Sequence, residues 1–122
     1  MKTGLTYTAT TIVDNTNTAK TIGSGDLDVF ATPAMVALME NAAMLCVAST
    51  LSEGDSTVGA KIESTHIKPS ALGDTITATA TLTEVDGRKL TFSIKAADSK
   101  ATIGEATHIR YIINKAKFMA KL

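Results

Sequence analysis

The chain has 122 residues, 44% of them hydrophobic, and its twelve basic and twelve acidic side chains cancel to zero net charge. That length suits one domain, residues 1–122, able to bury a core without metal or disulfide, and the hydrophobic share excludes wholesale disorder. The zero balance excludes the charge footprint of a nucleic-acid binder or of a protein held on an anionic membrane surface.

In chain order, Met1 to Thr11 is polar and alternating, unlike a secretory signal. Within it a strand is predicted over Leu5 to Val13, where Leu5, Tyr7 and Ala9 alternate with threonines. Asp14 to Asn17 is a polar turn, and a second short extended piece is expected over Thr18 to Ile22, broken by Gly23 to Asp26. Thr32-Pro33 signals a helix start, with Thr32 as the expected cap and proline at a position whose N–H has no partner anyway. The helix runs to about Leu51, where Ser52 to Asp55 end it. Met35, Val36, Leu38, Met39 and Ala42 to Val47 cover almost its whole circumference, and a helix apolar all round is expected to be buried all round. It is interrupted by Glu40 and Asn41 and too short for a comfortable membrane span.

Four further strands follow. In Thr57 to Lys68, counting by two places Val58, Ala60, Ile62, Ser64 and His66 on one face. Asp74 to Val85 alternates Ile76, Ala78, Ala80 and Leu82 with threonines, and Lys89 to Ala97 alternates Leu90, Phe92, Ile94 and Ala96 with polar residues. The last strand spans about Thr102 to Ile113. Asp86-Gly87 marks a hairpin, since both residues tolerate positive φ. Beyond Asn114 the chain is basic, and either a short helix or frayed.

The fold class expected from this order is α+β: one antiparallel sheet, joined by short connections, wrapped around one long central helix. A single sheet cannot enclose a cylinder, so the uncovered side of the helix or the sheet edge calls for another surface, most simply a homodimer with two-fold symmetry. The lone Cys46 lies in an apolar run and reads as a small core residue. With no signal segment, no disulfide pair and no span, the expected location is the cytoplasm.

Three polar residues stand out. Glu40 sits in mid-helix among methionine, leucine and alanine. It is either a paired, protonated or functional buried carboxylate or a helix edge touching solvent. His66 shares the interior-facing side of its strand, either as a core histidine satisfied by a neighbour or, with Glu40, as part of an acid–base pair. Thr32 caps a helix whose N-terminus is a natural place for a developing oxyanion. Thr32 and Glu40 lie about 12 Å apart along the axis, so their convergence on one carbonyl requires different subunits. Gly59 marks either a bulge with close backbone approach or simple packing. His108 reads as structural, and Arg110 as a ligand-phosphate or ion-pair residue. There is no Gly-rich phosphate loop, no metal-ligand cluster and no serine nucleophile elbow.

The ordered set Val29-Phe30-Ala31-Thr32-Pro33, a helix carrying Glu40, Thr57-Val58-Gly59 and Thr65-His66 resembles the fluoroacetyl-CoA-specific thioesterase-like branch of the hot-dog superfamily. Glu84 to Phe92 and Gly104 to Arg110 extend the likeness to about residues 5–120. The resemblance implies hydrolysis of a short acyl-CoA at a homodimer interface, with Thr32, Glu40 and His66 as the catalytic set. Glu40 would act as nucleophile or base on water, His66 would move a proton, and Thr32 would position the glutamate or the substrate. Gly59 matches a glycine near the reacting carbonyl; Phe30 and Arg110 join it as candidate substrate contacts. No metal and no cofactor is expected beyond the coenzyme A of the substrate. The segment Gly23 to Asp28 is short and lacks an aromatic residue, so the likeness carries the scaffold rather than fluoroacetyl selectivity. An acyl-thioester hydratase and a non-catalytic acyl-CoA or metabolite-binding module are the competing readings.

Overall fold

A computed structural model describes all residues from Met1 to Leu122. The elements in order are β1 (Thr6–Ile12), α1 (Ala19–Ile22), α2 (Thr32–Ala48), β2 (Asp55–His66), β3 (Thr75–Asp86), β4 (Lys89–Ala97), β5 (Thr102–Asn114) and α3 (Lys115–Met119). The five strands form one antiparallel sheet in the order β1-β3-β4-β5-β2. It curls around α2, the hot-dog arrangement. Long alternating runs make the inner face: Ile76, Ala78, Ala80 and Leu82 of β3 and Leu90, Phe92, Ile94 and Ala96 of β4 are buried, while the threonines of β3 face outward. Burying each large apolar side chain here contributes roughly 1.5–3 kcal/mol.

Several sequence expectations need correction. Thr18 to Ile22 is not extended. Thr18 Oγ1 accepts from the Thr21 N–H, nucleating one helical turn that Gly23 ends at φ 87°. Helix α2 stops at Ala48 rather than Leu51. Its N-cap is Ala31, with no side-chain cap; Thr32 lies inside the first turn and its hydroxyl is engaged elsewhere. The β3–β4 turn needs positive φ only at Gly87, since no other residue type has positive φ and Asp86 still pairs with Lys89.

The counting by two along β2 also fails at one point. The register against β5 shifts between Gly59 and Lys61, with Ala60 as the extra residue of a bulge. Gly59 lies opposite buried Arg110 and Thr57 opposite Ile112, whereas beyond the bulge Ile62, Ser64 and His66 lie opposite His108, Ala106 and Gly104. Opposed residues share a face, so Thr57 and Gly59 point inward, and Val58 and Ala60 do not join Ile62 and His66. The bulge puts an odd-numbered glycine and an even-numbered histidine on one surface.

Burial of α2 is one-sided within the chain. Met35, Met39, Ala42, Ala43, Cys46 and Val47 are buried. Val36, Leu38, Met44 and Leu45 are half-buried, and Ala37 and Asn41 are exposed. The helix packs chiefly on β3 and β1, leaving the inner side of edge strand β2 more open. No helix is long and apolar enough to cross a membrane.

Candidate active site

Two glycines let α2 approach the sheet closely. Gly104 of β5 lies under Met35: a β-carbon there would stand 2.8 Å from Met35 Sδ and 2.3 Å from the Thr65 carbonyl oxygen. Gly59 lies under Glu40: a β-carbon would stand 2.9 Å from Glu40 Oε2, 3.3 Å from His108 Cε1 and 3.4 Å from Arg110 Nη1. Each bare patch of backbone carries one half of the site.

At the first half, Gly104 pairs with His66 and Met35 is three residues after Thr32, so close packing here brings the start of α2 to the end of β2. Thr32 Oγ1 lies 2.7 Å from His66 Nδ1. His66 Nε2 is buried and has no hydrogen-bond partner, which is costly unless something else satisfies it. Burial pushes the imidazole pKa below its ordinary 6.5, favouring the neutral ring. The hydroxyl of Thr32 thus holds His66; it neither caps the helix nor touches Glu40.

At the second half, Glu40 is neither fully buried nor unpaired. Its side chain is 41% exposed, and Oε2 makes a long ion pair of 3.9 Å with Arg110 Nη1. Glu40 and Gly59 line a hollow of about 230 Å³ with Ala60, Lys61, Ile62 and His108. Arg110 is buried beneath it, its Nε–H donating to Thr57 Oγ1 at 2.8 Å and its Nη2–H to the Thr57 carbonyl at 2.9 Å. Of the two roles considered for Arg110, the ion pair is present. The guanidinium is buried inside the fold.

The halves do not meet within one chain. Gly104 and Arg110, which mark them on β5, are six residues apart, about 20 Å along a strand. Phe30 belongs to neither half. Its ring is buried, its N–H donates to the Ser70 carbonyl, and it lines a separate groove of about 440 Å³ with Pro33, Ala34, Ala37 and Leu38.

Three further residues shape the site, of which the sequence marks His108 only as structural, Thr57 only as part of a motif, and Asp98 not at all. Thr57 reads as an ordinary strand residue, and only the bulge turns it inward. His108 is fully buried, donating from Nδ1 to the Lys61 carbonyl at 2.7 Å. Asp98 closes a clip just past His66. Its carboxylate accepts from Lys68 Nζ, from Ser70 Oγ at 2.9 Å, and from the N–H groups of Lys100 and Ala101. The bond from Lys68 above all holds the Asp98 pKa well below the usual carboxylate range.

Residues 13–116 match the family model described as fluoroacetyl-CoA-specific thioesterase. The fluoroacetyl-CoA thioesterase of Streptantibioticus cattleyicolor is 41% identical over 95 residues, which cover 78% of this chain and 68% of that protein. A crystal structure of a fluoroacetyl-CoA thioesterase superposes with a TM-score of 0.92 at 35% identity, covering 99% of this chain and 94% of that one. A hot-dog-like protein from Thermanaerovibrio acidaminovorans gives a TM-score of 0.90 at 24% identity, covering 99% and 90%, a likeness of fold alone.

Proposed function

The chain belongs to the fluoroacetyl-CoA-specific thioesterase family, and from that premise we propose that it hydrolyses a short-chain acyl-CoA to the free acid and coenzyme A. One observation carries the reading: His66 is held at Nδ1 by Thr32 while its buried Nε2 makes no hydrogen bond within its own chain. A substrate atom is the partner such a nitrogen lacks.

With the Thr32 hydroxyl donating to Nδ1, the ring proton sits on Nε2. That N–H donates to the thioester oxygen as it becomes an oxyanion, close to the N-terminus of α2, whose dipole favours negative charge. Glu40 takes a proton from a water whose oxygen attacks the carbonyl carbon. The tetrahedral adduct collapses with cleavage of the C–S bond. The proton held by Glu40 passes to the departing thiolate, and the carboxylic acid ionises into solvent. Gly59 leaves room for the acyl end beside Glu40, and Arg110 supplies positive charge below it. The hollow of about 230 Å³ over Gly59 gives room for a short acyl group. The exposed segment Gly23 to Asp28, without an aromatic side chain, offers nothing that would select fluoroacetyl over other short acyl groups.

This chemistry needs Glu40 and His66 together, so we assign the active unit as a homodimer with shared sites. Two features support it: β2 is an unpaired sheet edge of 12 residues, and the outer face of α2 is apolar and half-covered. Antiparallel pairing of two β2 edges about an axis between Ile62 and Glu63 sets Gly59 of one protomer opposite His66 of the other. A coenzyme A substrate and an unpaired thiol, Cys46, suit the cytoplasm.

Thiol release from a panel of short and medium acyl-CoAs tests the reaction, with Glu40→Gln and His66→Ala each expected to lose about hundredfold or more. Equal release by wild type and both variants removes the assignment. Mixing the two dead variants tests the shared site: a heterodimer regains one intact site from Glu40 of one protomer and His66 of the other. Failure to recover activity in a verified heterodimer rules the sharing out.

A further inference from the structure

The guanidinium of Arg110 is gripped from below and from one side. Thr57 accepts from Nε and Nη2, and Nη1–H donates to His108 Nε2 at 3.2 Å. The remaining edge at Nη1 turns to Glu40 Oε2 over Gly59. His108 can accept at Nε2 only when its own proton is on Nδ1, and that proton is committed to the Lys61 carbonyl. In an unbroken ladder a strand carbonyl accepts from backbone. Beside the Gly59–Lys61 bulge the register of the ladder shifts, and the Lys61 carbonyl next to it accepts from the His108 side chain. The ring has little freedom to turn, being 1% exposed and 6.2 Å centre to centre from Phe92.

We propose that His108 is a positioning residue for the thioester chemistry, its tautomer fixed by the β2 bulge so that it aims Arg110 at Glu40 and the acyl end above Gly59. This rests on the thioesterase reading of the same site. Burial, reinforced by the charge of Arg110, lowers the His108 pKa and keeps the ring in the neutral form that can accept. The chain of cause runs from backbone to reaction centre. An extra residue in β2 stands beside one carbonyl, the carbonyl sets a tautomer, and the tautomer orients a buried cation toward the half-exposed Glu40.

Two substitutions separate aiming from packing. Asparagine reproduces the Nδ1–H donor to Lys61 and lacks the acceptor for Arg110. Glutamine extends an oxygen to the Nε2 position and restores that acceptor. His108→Asn is expected to lose about tenfold to hundredfold in kcat with KM within about threefold, and His108→Gln to stay within about threefold in both. Equal losses in the two variants, full kcat in His108→Asn, or a loss confined to KM overturns the proposal. Long-range nitrogen–proton NMR of the wild-type protein without substrate is expected to show the proton on Nδ1 and a bare Nε2; a protonated Nε2 overturns it regardless of the kinetics. Wild type that releases no thiol removes the thioesterase reading instead, and the nitrogen spectrum still decides the tautomer.

Discussion

Oxygen Oε2 of Glu40 occupies the place that a side chain on Gly59 would need: a β-carbon there would come within 2.9 Å of it. The conflict is with the far end of a flexible chain, not with backbone. Gly59→Ala is therefore expected to fold at a cost of about 1–2 kcal/mol, because Glu40 can swing aside while the β-carbon still crowds the His108 ring at 3.3 Å. Thiol release should nonetheless fall about hundredfold, since the carboxylate has left its position. Thermal melting and acyl-CoA kinetics on one preparation check both halves.

Gly104 is the contrasting case. A methyl group there meets the Thr65 carbonyl at 2.3 Å, and backbone cannot swing aside. Gly104→Ala is expected to cost about 3 kcal/mol or more by forcing β2, β5 and Met35 apart. Urea denaturation measures this. A stability within 1 kcal/mol of wild type would show that α2 does not rest on Gly104 as described.

The two histidines predict a shape for stability against pH. Burial lowers both pKa values below 6.5, so between those lowered values and 6.5 the unfolded chain binds more protons than the folded one. Stability should be full above pH 6.5 and fall as pH drops through the folded-state values. Asp98 adds a second loss at lower pH, beginning below its ordinary 3.8. Denaturation midpoints from pH 8 to pH 4 should decline first below 6.5. The decline should shrink in His66→Asn.

Asp98 has no exposed side-chain surface, and its four hydrogen-bond donors come from the β2–β3 connection and the β4–β5 turn. Asp98→Asn keeps the shape but removes the charge opposite Lys68 and turns one acceptor into a donor facing N–H or hydroxyl groups. The expected cost is about 2–3 kcal/mol, moderated because Lys68 is partly solvated. Thiol release should fall less than in the active-site variants. Lys68 and Ser70 follow His66 closely, so the loosened loop should also exchange amide hydrogens faster.

Much of this could be read from the sequence. β4 is found over the residues expected, Lys89 to Ala97, because its alternation is unbroken and its burial one-sided. Glu40 stands out against an apolar helix, His66 by its strand parity and Thr32 as a helix-start residue, while the family resemblance is what joins the three into one set. The parity of Val58 and Ala60 was not legible, because a bulge adds a residue without altering the local pattern that periodicity measures. Thr32 does not cap α2, against the local signal, because its hydroxyl has a partner 34 residues away. No local rule competes with a tertiary hydrogen bond of that kind. His108 read as structural because its value lies in which nitrogen carries the proton, and that depends on the Lys61 carbonyl across the strand pair.

The span of β5 from Gly104 to Arg110 works as a ruler. Inserting or deleting one residue inside it would turn either Gly104 or Arg110 to the other side of the sheet, leaving the two halves of the chemistry on opposite faces. The hairpin tips at Gly87 and at Ser99 to Lys100 lie outside that span. Length changes there leave the spacing untouched, so grafts and tags belong at the tips, and the six-residue interval between Gly104 and Arg110 should be kept intact in any redesign.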